Sequence, residues 1–122
     1  YLLMNNYEIG RLGEDAVAYY LEKNGYEVLD RNYRTARGEI DIIFSDGDYL
    51  VFGEVKTRNS LYFGRPCQAV DINKKIRIVN TAKNFIVKNN FYDMNIRFDV
   101  FEFYYKSRKI LHIKTLMILS YE

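Results

Sequence analysis

The spacing of apolar residues predicts a helix at the start of the chain. Apolar side chains recur every three or four positions through the first two dozen residues, which is the period of an amphipathic helix. Asn5 or Asn6 can cap such a helix, and Gly25 can end it because glycine readily adopts the left-handed conformation found after many helices. We therefore expect the first helix over residues 6–24.

The same period returns in the second half of the chain, from Val70 to Ile86. Pro66 suits the first turn of a helix, since its φ is already helical and the N–H that it lacks would be unpaired there. The polar pair Asn89-Asn90 marks the end. This pattern predicts a second helix that begins near Pro66 and ends near Asn89.

Five further segments are short, rich in β-branched and aromatic residues, and bounded by turn residues, which is typical of strands. Ser45-Asp46-Gly47-Asp48 is a strong signal for a tight turn between the second and third of them. The order α-β-β-β-α-β-β predicts an α/β fold in which helices flank a mixed β-sheet. The predicted strands cover residues 26–33, 39–44, 49–57, 95–104 and 110–114.

Length and composition limit the architecture and the compartment. A chain of 122 residues with 48% apolar residues buries roughly two-thirds of its unfolded surface in one core. We expect a single domain over residues 1–122, with residues 1–5 as a flexible start. No apolar run approaches the ~20 residues that cross a bilayer, so no membrane partner is expected. No secretory segment is visible, which predicts a cytoplasmic protein.

Two residue counts exclude whole classes of site. Cys67 is the single cysteine, so an internal disulfide and a Cys-rich zinc site are excluded. His112 is the single histidine, which removes every catalytic scheme that needs two.

The net charge of +2 is unevenly distributed, because residues 31–38 and 55–83 hold ten basic residues and one acid. Such a surface can face nucleic acid, and a solvated basic helix face is the alternative that charge leaves open.

Acidic residues in the second and third predicted strands share one face of their hairpin. Side chains alternate along a strand, so Glu39 and Asp41 point the same way, as do Glu54 and Lys56. A two-residue turn at Asp46-Gly47 would place Glu39 opposite Glu54. Asp41 would then be a diagonal neighbour of Glu54, about 7–8 Å away.

Carboxylates that lie this close repel one another unless a proton or a cation compensates them. Oxygen ligands without His or Cys suit Mg²⁺ or Mn²⁺. Glu14 lies at the margin of the apolar arc of the first helix, beside Gly10 and Gly13, which would let that helix approach the sheet closely. Glu14 could therefore join the cluster, or it could be an ordinary exposed acid.

The motifs around these residues resemble a known family. Asp41 and Glu54-Val55-Lys56, separated by twelve residues, resemble the Asp…(Asp/Glu)-x-Lys core of restriction-endonuclease-like nucleases. Over residues 7–114 the chain resembles the YraN-like family of small bacterial proteins, related in pattern to archaeal Holliday-junction resolvases. The words that carry this resemblance are Gly10, Gly13-Glu14 and Ala16 (one place early for the family), Gly38-Glu39-Ile40-Asp41, Glu54-Val55-Lys56-Thr57-Arg58, Gln68-Ala69-Val70, Lys74 and Arg97-Phe98-Asp99-Val100.

The resemblance implies a restriction-endonuclease-like fold and a nuclease-type site with Glu14, Asp41, Glu54 and Lys56 as catalytic residues. Its reaction would be hydrolysis of phosphodiester bonds in DNA, with branched or structured DNA as a candidate substrate. Asp41, Glu54 and Glu14 would hold Mg²⁺ or Mn²⁺, and Lys56 could orient the attacking water or the phosphate. DNA is favoured over RNA as the partner.

Basic and polar residues near this site are candidates for contacts with the nucleic-acid backbone. Such contacts are independent of sequence and weaken with salt. The candidates are Arg31, Arg34, Arg37, Arg58, Arg65, Gln68 and Lys74.

Two other functions fit the same residues. One is a nucleic-acid-binding protein that keeps the nuclease fold without turnover. The other is a protein-interaction adaptor that uses the Tyr-rich surface. Separately, Glu54 and Lys56 could form a plain ion pair instead of part of a site. A homodimer is left open, because the apolar tail 116–119 could pack in the core or against a partner.

Other polar and aromatic residues have a structural interpretation. Arg97 and Asp99 lie two positions apart on one strand face, so we expect a structural ion pair. His112 is expected to be structural as well. Tyr62 and Phe63 could stack on unpaired bases or cover the core.

Overall fold

The computed structural model of the protein describes residues 4–59 and 72–115. Two helices and five strands follow one another in the predicted order α-β-β-β-α-β-β, which confirms the predicted α/β class. The elements are α1 (Asn6–Lys23), β1 (Glu27–Thr35), β2 (Gly38–Asp46), β3 (Tyr49–Arg58), α2 (Ile72–Asn89), β4 (Asn95–Tyr104) and β5 (Lys109–Thr115).

One mixed sheet organises these elements, with its strands in the order β1-β2-β3-β4-β5. The first three strands form an antiparallel meander. β4 runs parallel to β3, and β5 returns antiparallel to β4. A parallel neighbour needs a long crossover connection, and α2 lies in that connection between β3 and β4. This is the mixed sheet with flanking helices that the sequence predicts.

Each face of the sheet has its own apolar core. Val17 and Leu21 of α1 pack against Phe44, Val51 and Phe101 on one face. The other face is covered by α2, with these residues at the centre of the cluster: Ile43, Leu50, Phe52, Ile78, Phe85, Ile86, Phe98 and Val100. Because both faces are covered, the middle strands are almost continuously apolar, and a charged residue in them needs a special reason.

The ends of α1 follow the sequence signals. The Asn5 side chain accepts a hydrogen bond from the Glu8 N–H at 2.8 Å, so Asn5 rather than Asn6 is the cap. Gly25 follows the helix with a φ of +86°, the left-handed conformation expected of it. The predicted start of the second helix near Pro66 and the apolar tail 116–119 lie outside the described residues. No helix within the described part of the chain is long and apolar enough to cross a membrane.

The register of the β2–β3 hairpin differs from the predicted one by two residues. Asp46 pairs with Tyr49 and Ile42 pairs with Gly53, so Gly47-Asp48, rather than Asp46-Gly47, forms the turn. The positive φ of Gly47 (+56°) suits the first central position of a two-residue hairpin turn. A shift of two residues by itself moves no side chain to the other face. It brings Glu54 across from Asp41 instead of Glu39.

Alternation along β2 is interrupted beside Asp41. Ile40 and Ile43 belong to the same apolar core, whereas Ile42 belongs to the opposite one, so the prediction that Ile40 and Ile42 share a face is wrong. On the neighbouring strand β1, Asn32 lies between the residues that pair with Ile42 and Ile40. Its φ of +53° is left-handed. A left-handed residue departs from the extended backbone of a strand, so the pleat of β1 is interrupted between its pairs with Ile42 and Ile40. The irregularity thus falls at the position where the sequence predicts a site.

Candidate active site

The candidate site lies where β2 and β3 separate. The ladder between them ends at the Ile42–Gly53 pair, and Asp41 and Glu54 are the next residue on each strand. The Val55 N–H donates to Oδ2 of Asp41 at 2.8 Å, so a side-chain oxygen takes the place of a backbone partner. This bond holds the Asp41 carboxylate between the two strands.

A cleft of about 240 Å³ opens at this point. Its walls come from β2, β3, β4 and α2, so the crossover helix closes one side of it. The lining residues are Glu39, Ile40, Asp41, Gly53, Glu54, Lys74, Ile78 and Phe98. Three predicted site residues, Asp41, Glu54 and Lys74, therefore line one concave space together with apolar side chains.

Burial and neighbouring charge disfavour the ionised form of the Asp41 carboxyl. Desolvation is the largest influence and raises its pKa from the usual 3.8 to about 6, although the bond from Val55 opposes the change. The negative charges of Glu14, Glu54 and Glu39 raise the pKa further. A nearby cation would favour the ionised form of this carboxyl and so oppose the shift, and shifts of this kind are common at functional sites.

Glu54 has one oxygen with a partner and one without. Its Oε1 forms an ion pair with the Lys74 ammonium of α2. Its Oε2 is buried and has no hydrogen-bond partner within the part of the chain that the structure describes. An unpaired buried carboxylate oxygen costs free energy. Lys74, predicted as a phosphate contact, lines the cleft and pairs with a candidate metal ligand; its contact with phosphate stays a prediction.

Lys56 lies two residues beyond Glu54 on β3 and is half-buried. In the parallel ladder it stands beside Glu102, whose carboxylate accepts hydrogen bonds from Arg58 and Tyr104. The ion pair of Glu54 is made with Lys74, so the alternative of a plain Glu54–Lys56 pair is wrong. Among the residues that the structure describes, no ion pair of Lys56 is found.

Glu14 comes close to this site from α1, where it lines an adjacent cleft together with Glu39. Its charge contributes to the raised pKa of Asp41. Within residues 4–59 and 72–115, however, no three His, Cys, Asp or Glu side chains converge to hold a metal ion. Direct coordination by Glu14 together with Asp41 and Glu54 stays a prediction.

The residues present fit a small divalent cation. Mg²⁺ is commonly bound through one or two carboxylates and keeps several of its waters. Asp41 and Glu54 supply two carboxylates, and Oε2 of Glu54 is an orphaned acceptor of the kind that a cation would satisfy. The Val55 carbonyl, next to both, is a further oxygen of suitable chemistry.

Apart from Lys74, the predicted nucleic-acid contacts divide into three groups: exposed, paired with acids, and outside the described residues. Arg34 and Arg37 are exposed, and Arg34 makes a loose 3.3 Å pair with Glu39. Arg58 donates twice to the buried Glu102 carboxylate, at 2.6 and 2.9 Å, which is a structural ion pair. Arg31 is paired with Asp15. Arg65 and Gln68, like Cys67, Tyr62 and Phe63, lie outside the described residues.

The structural interpretation of Arg97, Asp99 and His112 is confirmed. Arg97 donates to both oxygens of Asp99 at 2.8 and 2.9 Å. Nε2 of His112 lies 2.6 Å from Asp99, and its Nδ1 lies 3.0 Å from the Tyr20 hydroxyl. The sequence did not predict that Tyr20 joins this group of polar residues, because its place in the helical period marked it only as an apolar position. The Lys74–Glu54 pair was also missed, because sequence spacing does not place α2 over β3.

Comparison with known proteins places the chain in a family. Residues 13–103 match the family described as "Uncharacterised protein family UPF0102". A UPF0102 protein of Dictyoglomus thermophilum is 48% identical over 109 residues, which cover 88% of this chain and 92% of that protein. One from Clostridioides difficile is 44% identical over 110 residues, covering 90% and 96%, and one from Caldanaerobacter subterraneus is 40% identical over 117 residues, covering 96% of each. The chain therefore belongs to the UPF0102 family, the YraN-like proteins that its motifs resemble.

Proposed function

We propose that this protein is a metal-dependent nuclease that hydrolyses phosphodiester bonds in DNA, with branched or structured DNA as the candidate substrate. One observation carries the proposal. Asp41 and Glu54 come together where β2 and β3 separate, and Oε2 of Glu54 is buried without a partner among the described residues. A fold with no use for a cation would gain stability by replacing that carboxylate with an apolar residue.

The two carboxylates would hold Mg²⁺ or Mn²⁺ in the cleft. When bound, the cation lowers the pKa of a coordinated water and stabilises the charge that develops on the phosphate. The Val55 N–H fixes the orientation of the Asp41 carboxylate, which leaves its other oxygen available to the cation. Ile40, Ile78 and Phe98 form the apolar side of the cleft and strengthen the electrostatic interactions there by excluding water.

Two lysines have different roles in this proposal. Lys56 is half-buried on the same strand face as Glu54 and orients the attacking water or the scissile phosphate. Lys74 forms an ion pair with Glu54 in the metal-free protein; with a cation held by Glu54, its ammonium would be available to a phosphate oxygen. The exposed Arg34 and Arg37 add sequence-independent affinity for the backbone.

Cleavage assays test the proposal directly. Pure protein is incubated with junction, flap, single-stranded and duplex DNA in Mg²⁺, in Mn²⁺ and in EDTA. We expect metal-dependent products from the wild-type protein and a loss of at least about a hundredfold in rate for Asp41→Asn. Asp48→Asn, an exposed acid in the turn of the same hairpin, is the matched control and should cleave normally. If the wild-type protein cleaves no faster than Asp41→Asn, the products come from a contaminating nuclease. That result would overturn the proposal.

A specific observation favours a second function, nucleic-acid binding without turnover. Lys74 already compensates Glu54, and no group of three metal-binding side chains occurs among residues 4–59 and 72–115. A fold that lost catalysis could keep its carboxylates in this way, neutralised by a lysine instead of a cation.

Calorimetric titration with Mn²⁺ separates the two functions. A nuclease site predicts binding by the wild-type protein and severalfold tighter binding by Lys74→Met, because the competing ammonium is gone. Lys75→Met removes an exposed neighbouring lysine of the same helix and should leave the affinity unchanged. Salt-sensitive DNA binding with no heat from Mn²⁺ in either variant would favour the binding protein.

A further inference from the structure

A second cleft, of about 350 Å³, lies beside the candidate active site. Its volume falls within the range of about 300–1,000 Å³ that is typical of ligand pockets. Glu39 lines both clefts, so the two share a wall. The lining residues are Asn6, Tyr7, Gly10, Arg11, Glu14, Asn32, Arg34 and Glu39.

One wall of this cleft is a stripe along α1. Tyr7, Gly10, Arg11 and Glu14 occupy positions i, i+3, i+4 and i+7 and so lie on one side of the helix. Tyr7 is 72% exposed, which presents an aromatic ring to solvent at the outer end. Gly10 leaves space in the middle, because a Cβ added there would meet no atom within 4 Å.

The facing wall comes from the β1–β2 hairpin and carries Asn32 and Arg34. Arg34 pairs with Glu39 at 3.3 Å, but its side chain is 72% exposed and that of Glu39 is 42% exposed. Such a pair is weak, so its guanidinium can be exchanged to a phosphate. The acidic end of the cleft, Glu14 and Glu39, is the end whose charge acts on Asp41.

These groups match the parts of one nucleotide. An exposed aromatic ring stacks on any base, because every base has a π-face. Guanidiniums from the two walls suit phosphate oxygens, and the Asn32 amide offers both a donor and an acceptor to a base edge. Paired bases are already stacked within a duplex, so a ring at this place can only engage a base that is unpaired.

We propose that this second cleft binds an unpaired nucleotide of the nucleic-acid strand that enters the active site, with its base stacked on Tyr7 and a phosphate held by Arg11 and Arg34. The inference rests on the proposed nuclease function and deepens it. It makes the preferred substrate one that carries unpaired nucleotides next to the cleaved bond, such as a flap, an overhang or an open junction.

A fluorescence experiment tests the stacking. The protein contains no tryptophan, so Tyr7→Trp places a single reporter on the wall of the cleft. Tyr19→Trp, on the same helix and at a position 67% exposed in the wild-type protein, is the matched control. In EDTA, where no cleavage occurs, single-stranded DNA should quench the indole emission of Tyr7→Trp and leave that of Tyr19→Trp nearly unchanged.

Blunt duplex DNA is the substrate control, and it should quench the emission of Tyr7→Trp much less than single strands do. Binding of single strands is followed separately through a label on the DNA, so that an absent response is not mistaken for absent binding. Bound single strands that quench neither variant, or both variants equally, would overturn the inference.

Binding measurements give a second and independent readout. Tyr7→Ala should weaken the binding of single-stranded and overhang DNA roughly tenfold, with little effect on blunt duplex, while Tyr19→Ala changes neither. Gly10→Leu should do the same by filling the cleft, and because glycine is a poor helix former that variant should unfold at no lower denaturant concentration than wild type. Equal affinities of wild type and Gly10→Leu for single strands would contradict the proposed site.

The two proposals fail in different ways. Tyr7-dependent binding of single strands without any cleavage would leave this inference standing and overturn the nuclease. Metal-dependent cleavage that is equally fast in wild type and Tyr7→Ala on every substrate would overturn the inference alone. A wild-type protein that binds no nucleic acid at low salt would overturn both.

Discussion

At the scale of single residues, the candidate site is governed by the environment of Asp41. Burial and three neighbouring carboxylates disfavour its charged form, while the Val55 N–H favours it. Burial and the neighbouring charges together outweigh the hydrogen bond from Val55, so the pKa of Asp41 is raised to about 6. The protein therefore holds an ionised Asp41 at neutral pH against a cost in folding free energy.

The raised pKa of Asp41 predicts how the stability of the protein changes with pH. Because the pKa is about 6 in the folded protein and 3.8 without its environment, the folded state retains the proton more strongly, and Asp41 lowers the stability as pH rises from about 4 to 7. Asp41→Asn keeps the acceptor for Val55 and removes the charge. We expect it to stabilise the metal-free protein at pH ~8 by on the order of 2 kcal/mol and to have little effect at pH ~4.

Denaturant unfolding at the two pH values, in EDTA, measures this difference. Asp48→Asn, in the exposed turn of the hairpin, serves as the control and should show no such pH dependence. Mg²⁺ should stabilise the wild-type protein and not Asp41→Asn, since only a site with both carboxylates binds it. A destabilised Asp41→Asn at the higher pH would contradict the description of Asp41 as a carboxylate that burial disfavours.

At the scale of elements, the distance between α1 and the sheet places Glu14 and Tyr7. A Cβ added to Gly13 would lie 2.4 Å from Oγ1 of Thr57 and 3.4 Å from the Phe103 ring, so only glycine allows this approach. Gly10, one turn earlier, has open space before it. The two glycines of this helix thus serve different purposes, close packing and an open cleft.

Alanine substitutions separate these purposes. Gly13→Ala should destabilise the protein by on the order of 1–2 kcal/mol, because overpacking outweighs the ~1 kcal/mol gain in helix propensity. Gly10→Ala should stabilise it by up to ~1 kcal/mol. Denaturant midpoints of the two variants measure the contrast. Thr57→Ala should relieve much of the Gly13→Ala defect in a double-mutant cycle, and a cycle with no coupling would show that α1 is not held at this contact.

At the scale of the whole molecule, a buried polar network joins elements that are distant in the chain. Arg97 and Asp99 of β4 contact Asp46 of β2, His112 of β5 and, through His112, Tyr20 of α1. Burial alone would raise the pKa of Asp99, but the hydrogen bonds from His112 and Arg97 lower it below its usual 3.8. The network is charged and internally compensated, unlike the active-site cleft.

Removing the central carboxylate should therefore be costly. Asp99→Asn removes the buried carboxylate that pairs with Arg97 and leaves Asp46, which is partly exposed, as the charged partner of that guanidinium. We expect a loss on the order of 3 kcal/mol in unfolding free energy at neutral pH. Asp93→Asn, at an exposed position just before β4, is the control and should be nearly neutral. Because the folded pKa of Asp99 is lowered, its contribution is present above pH ~4 and is lost as the pH falls further. The wild-type protein should lose stability in acid more steeply than Asp99→Asn, and parallel acid limbs would contradict this assignment.

The sequence by itself determined the elements and their order. The apolar period of 3.6 or 2 is a local property, and caps such as Asn5 and turn residues such as Gly47 act within a few positions. The Asp41 and Glu54-Val55-Lys56 motif also indicated the site, since strand alternation puts these side chains on one face. A register error of two residues did not disturb that inference, because a shift by an even number of residues leaves each side chain on its face. The break in alternation between Ile40 and Ile42 was not visible in the pattern.

Only the tertiary structure decided which partners these residues have. Lys74 reaches Glu54 because α2 crosses over the sheet, Arg58 is held by Glu102 of the parallel strand, and the stripe of Tyr7 and Arg11 lies beside the site because Gly13 lets α1 approach β3. These contacts join residues far apart in the chain. Their energies depend on burial and on distances across packed elements, which no local pattern of residues contains.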